Sequence, residues 1–151
     1  MSLDLESQKR FAQELIRDYH DGEVIFSEGD EGRDLFVIQR GAVRVSKKTA
    51  QGELQLAEFT KGDFFGDMAL LQSVPRFATA RAVGETRLLT IQPGGFLLKI
   101  RRDPTFAFEM LQQLSQRVRI ASERALEIAR HAGLSQQQVE EILRQFERKP
   151  L

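Results

Sequence analysis

Cysteine is absent from this chain of 151 residues. Its absence excludes disulfides, thiol nucleophiles and thiolate metal sites together. Histidine is nearly absent. His20 and His131 are the only two, far apart in the sequence, and a cupin-type metal enzyme needs several imidazoles and a carboxylate gathered on neighbouring strands. No G-x-S-x-G elbow and no G-x-x-x-x-G-K-[ST] loop occurs, so serine–histidine hydrolysis and P-loop chemistry have no sequence support. The expectation is a protein that is not an enzyme and carries no metal or cofactor. No apolar run approaches membrane-spanning length. Met1-Ser2-Leu3-Asp4-Leu5-Glu6 lacks the basic and apolar regions of a signal peptide. The cytoplasm is the expected compartment and no membrane partner is expected. Net charge is absent too, with 22 basic against 22 acidic residues. A nucleic-acid binder usually shows a basic excess, so none is expected as a partner.

What is present is enough for one globular domain, with 41% apolar residues and 8% aromatic ones. From about Leu5 to Tyr19, Phe11, Ala12, Leu15, Ile16 and Tyr19 share one face at helical spacing and predict an N-terminal helix. From Gly22 to about Gln92 the texture changes to short β-rich runs: Val24–Phe26, Leu35–Ile38, Ala42–Val45, Leu54–Ala57 and Leu88–Ile91. Turn signals separate them at Glu28-Gly29-Asp30, Glu31-Gly32, Arg40-Gly41, Gln51-Gly52 and Lys61-Gly62-Asp63. Regular short strands with such turns suggest a sandwich or jelly-roll barrel.

Between these turns lies a segment with its own chemistry, Phe64-Phe65-Gly66-Asp67-Met68-Ala69-Leu70, followed by Pro75-Arg76-Phe77-Ala78-Thr79. A glycine opening a helical turn exposes backbone N–H groups at the positive end of the helix dipole. An arginine fork nearby can hold a phosphate with two parallel hydrogen bonds. Asp67 is out of place beside a simple phosphate, but suits a ligand that also carries hydroxyls, as a ribose does.

This segment resembles the phosphate-binding cassette of cyclic-nucleotide-binding domains, the family of catabolite-activator-type regulators and of the regulatory subunits of cAMP-dependent protein kinase. The family pattern runs F-G-E-(apolar)-A-L, a short spacer, then P-R-x-A. The resemblance extends over roughly residues 20 to 131, through Gly22–Phe26, Glu28-Gly29-Asp30, Leu35–Ile38 and Gly41–Val45. It implies an α+β fold: a β jelly-roll barrel with an N-terminal helix, a cassette helix and C-terminal helices. It implies that Arg76 grips the cyclic phosphate and that Asp67, one methylene shorter than the family's glutamate, accepts the ribose 2′-hydroxyl. Gly66 and Met68 would line the ribose, and the N–H groups of Ala69 and Ala78 would face the phosphate. Phe77 stands where the family usually carries a small residue. It cannot make the threonine or serine contact associated with guanine, which favours cAMP over cGMP. Val45, Leu56 and Ala57 would pack on the base, and Ser122 on the long helix would offer it a hydroxyl. Each residue has a plainer reading: a solvated arginine, a helix-starting carboxylate, ordinary core.

Asp103-Pro104 reads as a helix start, with Asp as N-cap and Pro in the first turn, and that helix runs to about His131. A shorter helical run precedes it at Phe96–Ile100, and Gly133 suits its C-terminal stop. Leu111, Leu114, Val118, Ala121, Ala125, Ile128 and Ala132 recur at alternating spacings of three and four. Such a seam serves equally to pack on the chain's own barrel or to pair with a second copy; the resemblance favours a homodimer through the 104–131 helix. Ser135 and Gln138 form a capping box for a last amphipathic helix carrying Val139, Ile142, Leu143 and Phe146. That helix is a candidate docking element for a protein partner. About 20 residues follow His131, too few for the paired helices of a helix-turn-helix domain.

The organisation expected is a helical segment over 1–20, a cyclic-nucleotide-binding-like domain with its long helix over 21–132, and a short helix within 133–151. The expected function is a cyclic-nucleotide sensor, cAMP before cGMP, that couples ligand binding to helix movement and lacks its own DNA-binding domain. The alternative is a degenerate relative that serves only dimerisation or protein interaction.

Overall fold

The computed structural model describes residues 15–147. Described residues up to Ala107 form one compact unit and those from Phe108 a second. The sequence reading drew its boundary later, at 132, and kept the long helix with the barrel.

The first unit is an antiparallel sheet of six strands: β1 (Ile16–Tyr19), β2 (Val24–Phe26), β3 (Leu35–Thr49), β4 (Gly52–Thr60), β5 (Phe64–Phe65) and β6 (Thr79–Ile91). Its strand order is β1-β6-β3-β4, with β2 also on β6 and β5 on β3. Helix α1 (Asp67–Gln72) interrupts the strands and α2 (Pro93–Arg102) follows them. This is the α+β architecture expected from the sequence. The inner face carries Phe36, Ile38, Val43, Phe65, Ala80, Ala82 and Leu88, all buried. Four rings from four strands meet there. Phe36 stacks on Phe65 at 5.1 Å, Phe59 lies 6.3 Å from Phe65, and Phe26 lies 5.8 Å from Phe36.

Three expectations need correction. The predicted N-terminal helix falls mostly outside the described residues, but its last part, Ile16–Tyr19, is a strand paired with Thr86–Leu89 of β6. Ile16 and Tyr19 fit a helical face by spacing alone. The hydrogen-bonding edge of β6 overrides that local signal. Arg40-Gly41 is no turn between two strands. Gly41 sits inside a single strand of 15 residues, at a register shift. Its φ is +83°, and a Cβ there would stand 2.5 Å from both the Glu85 carbonyl and Thr86 Oγ1. The glycine thus marks a bulge where β3 bends against β6. Finally, β6 spans 13 residues, although only Leu88–Ile91 reads as a strand. Its first half alternates buried Ala80 and Ala82 with exposed Arg81, and alanine carries almost no β signal.

The second unit holds most of α3 (Pro104–His131) and all of α4 (Gln136–Glu147). Both helix starts follow their sequence signals. Asp103 Oδ1 accepts from the Phe106 N–H at 3.1 Å. Ser135 Oγ accepts from the Gln138 N–H at 3.2 Å while Gln138 Oε1 accepts from the Ser135 N–H at 2.8 Å, a complete capping box. Gly133, at φ +68°, closes α3. The short run expected at Phe96–Ile100 is the longer α2, opened by Pro93 and ending in Lys99, Arg101 and Arg102, whose charges suit a helix C-terminus. Between α3 and α4 runs an apolar groove of about 790 Å³, lined by residues including Val118, Ala125, Ile128, Leu134 and Ile142.

Candidate functional site

The chain from Ser73 to Ala78 crosses from α1 to β6 and carries Arg76 inward. Its backbone is fixed by the turn over residues 27–30. The Arg76 N–H donates to the Asp30 carbonyl at 2.7 Å, and the Arg76 carbonyl accepts from the Gly29 N–H at 2.8 Å. That turn is itself closed by Asp30, whose carboxylate accepts from the Ser27 N–H at 3.0 Å. The Glu28-Gly29-Asp30 signal, legible in the sequence only as a turn, therefore clamps the arginine's main chain.

Arg76 is only 4% exposed. Its Nη1 donates to the Gly66 carbonyl at 3.1 Å and its Nη2 to the Asp34 carbonyl at 2.9 Å. Nε is buried and has no partner among the described residues. Burial draws the guanidinium pKa below its ordinary value, while the carboxylates of Asp34 and Asp30 push the other way from a distance. Arginine stays charged at any physiological pH regardless. The fork is thus a buried cation with one N–H of each terminal nitrogen on a neutral carbonyl and its Nε–H unpartnered.

Gly66 has to be glycine on two counts. Its φ is +86°, and a Cβ would stand 2.8 Å from the Asp34 carbonyl and 2.9 Å from Arg76 Nη1. It caps α1, and its own carbonyl belongs to the arginine's cradle. Asp67 opens α1 and is half-buried; Met68 is exposed and Ala69 buried. Ala78 is buried where the chain enters β6. Val45 on β3 pairs with Ala57 on one side and Ala80 on the other. Leu56 occupies the irregular step of β4 beside the Val45/Ser46 register shift. Both are half-buried.

Phe77 is 50% exposed and is held from β3. Lys47 Nζ donates to the Phe77 carbonyl at 2.8 Å and sits 3.9 Å from the centre of its ring. Lys47 is paired in turn with Glu28 at 3.0 Å. The bond to Lys47 is the main reason the Glu28 carboxyl lies below its ordinary pKa. Arg76 and Phe77 are therefore gripped separately, one by carbonyls within the core and the other by a charged pair at its edge. Ser122 belongs to the second unit, where its Oγ donates to the Val118 carbonyl at 2.9 Å.

The structure thus bonds Gly66 to Arg76 and holds Phe77 apart from them, on Lys47. Four participants escaped sequence reasoning: Phe26, Asp34, Glu28 and Lys47. Asp34 acts through its carbonyl, which no side-chain pattern reveals. Phe26, whose ring centre lies 4.2 Å from the Arg76 guanidinium carbon, ends the Val24–Phe26 run and read only as strand. Glu28 read only as part of a turn, and Lys47 carried no signal.

Comparison with known proteins places these residues in a family context. The family model described as "Cyclic nucleotide-binding domain" matches residues 16–103. The cAMP-dependent protein kinase regulatory subunit of Debaryomyces hansenii is 35% identical over 96 residues, covering 63% of this chain and 21% of that protein. The Cyclic AMP receptor protein of Thermus thermophilus is 38% identical over 104 residues, covering 68% of this chain and 48% of that protein. The chain therefore spans half or less of the length of either relative. Among solved structures, Thermus thermophilus Catabolite Activator Protein superposes with a TM-score of 0.65 at 28% identity, covering 94% of this chain and 83% of that one.

Proposed function

Because the chain belongs to the cyclic nucleotide-binding domain family, we propose that it is a regulatory sensor that binds cAMP in preference to cGMP at the Arg76 cradle. The observation that carries this reading is the buried guanidinium with its unpartnered Nε. A buried charge without a directly bonded anion is costly, and a cyclic phosphate supplies both that anion and acceptors for the free donors. Asp67, at the start of α1, takes the ribose hydroxyl. Met68 flanks the sugar, the Ala69 and Ala78 N–H groups serve the phosphate, and Val45 and Leu56 face the base. Phe77 offers the base a ring and no hydroxyl, which leaves guanine without its specific partner and supports the preference for cAMP.

The role is regulatory rather than catalytic. Ligand binding shifts the population of helix positions in α3, and a partner reads that shift. The second copy pairs along the 104–131 helix, supported by Val118 and Ile128, 66% and 68% exposed. Removing a Val or Ile side chain from water is worth about 1.5–3 kcal/mol. Helix α4, with Phe146 exposed, is the docking element for a protein partner. Neither nucleic acid nor membrane enters this reading; among the described residues no helix is long and apolar enough to cross a membrane.

Titration calorimetry with cAMP and cGMP tests the site. The wild type is expected to bind cAMP more tightly than cGMP. Arg76→Ala is expected to weaken cAMP by about a hundredfold, the loss of charge-assisted bonds to the phosphate. No heat from either nucleotide at submillimolar concentration would remove the sensor reading in favour of a dimerisation module. Binding that survives Arg76→Ala would move the site elsewhere.

A further inference from the structure

A buried arginine in a protein core is usually matched by a carboxylate. Arg76 is not held that way: both of its side-chain hydrogen bonds go to main-chain carbonyls. Its charge is met instead by an aromatic face. The guanidinium carbon stands 4.2 Å from the centre of the Phe26 ring and 5.6 Å from that of Phe36. The two rings differ in what else they do. Phe36 is stacked on Phe65 at an interplanar angle of 15° and belongs to the core. Phe26 lies at the end of the aromatic cluster, half-buried on a strand of three residues, and closest to the guanidinium.

An aromatic face attracts a cation through its quadrupole without carrying net charge. A carboxylate in the same place would neutralise the fork and repel an incoming anion. A flat ring also fixes the plane of the guanidinium, so the edge bearing Nε keeps one orientation.

We propose that Phe26 is the positioning residue for Arg76, its ring face holding the guanidinium in one orientation where a carboxylate would otherwise pair with it, so that the net charge remains available to a cyclic phosphate. This rests on the nucleotide-binding reading above and adds a residue to it. It also explains why three consecutive devices converge on one side chain. The 27–30 turn sets the main chain, the Gly66 and Asp34 carbonyls set two nitrogens, and Phe26 sets the plane.

Calorimetry with cAMP on Phe26→Leu, Phe26→Tyr and Phe59→Leu separates positioning from packing. Phe26→Leu is expected to weaken cAMP about tenfold, and Phe26→Tyr, which keeps the ring face, by less than about twofold. Phe59 sits at the other end of the same ring cluster, against Phe65. Phe59→Leu should lower the melting temperature at least as much as Phe26→Leu while leaving cAMP affinity nearly unchanged. Equal weakening by the two leucine variants, or none by Phe26→Leu, overturns the proposal. Should the wild type bind neither cAMP nor cGMP, the sensor function falls, and the Arg76 Nε–H resonance decides the positioning role alone. A ring-current displacement present in wild type and Phe26→Tyr but lost in Phe26→Leu supports it; one position in all three overturns it.

Discussion

The two units spend their apolar residues in opposite ways. The unit ending at Ala107 buries a core of large side chains completely, Phe64, Phe65, Leu35, Ile38 and Leu88 among them. The unit from Phe108 leaves Leu111, Val118, Leu126, Ile128, Leu143 and Phe146 exposed. In the sheet the rings are consumed by their own fold and by the arginine they hold. In the helices the apolar seam is presented outward. One unit carries the buried Arg76 cradle, and the other carries an exposed apolar stripe.

Glycine substitutions break this contrast most sharply. Gly41→Ala forces a Cβ into the Glu85 carbonyl and Thr86 Oγ1. We expect a loss of about 3 kcal/mol or more, combining left-handed strain with overpacking. Gly133 also has a positive φ, +68°, but nothing lies within 4 Å of the position of its Cβ. Gly133→Ala is expected to cost about 1 kcal/mol, from backbone strain alone. Urea denaturation of both variants reads the difference, and equal losses would mean that the sheet yields as readily as the helical turn.

Next in size is the seam. Ile128→Glu places a carboxylate on the exposed stripe of each copy. If the copies pair along α3, the dimer is expected to weaken by about 3 kcal/mol, more than a hundredfold in its dissociation constant. Sedimentation equilibrium measures it, and the affinity of each chain for cAMP should stay within about twofold. A dimer of unchanged strength would assign the stripe to another partner.

The smallest effect sharpens the sheet side alone. His20 Nδ1 lies 3.1 Å from Glu85, and that hydrogen bond raises the imidazole pKa above 6.5. A raised folded-state pKa means that the pair stabilises the fold below the unfolded value and that this contribution is lost as pH rises through the folded one. An NMR titration should find His20 above 6.5, returning toward it in Glu85→Gln. Both groups are exposed, so the change in stability will be slight.

How much was legible follows the same division. Helix signals act over three or four residues, so Asp103, the Ser135–Gln138 box and Gly133 announced α3 and α4 correctly. The glycine and arginine of the cassette were legible because few residue types fit their places. The sheet was legible only in its apolar runs. Gly41 looked like a turn because φ above zero is common to turns and bulges, and the alanines of β6 said nothing. The cradle's supports were hidden for a third reason. The Asp34 carbonyl and the Phe26 ring face matter through positions that exist only after strands distant in sequence have met.

That distance has a kinetic side. Leu35 pairs with Ile91 and Ile16 with Leu89, so β3 and β1 must each wait for a strand synthesised much later. Contacts of such separation fold slowly, over milliseconds to seconds, whereas a helical hairpin such as α3–α4 can form in microseconds to milliseconds. Arg76 acquires its cradle only when the strands on both sides of it have docked. Burial of Arg76 during refolding would therefore lag behind the recovery of helix signal.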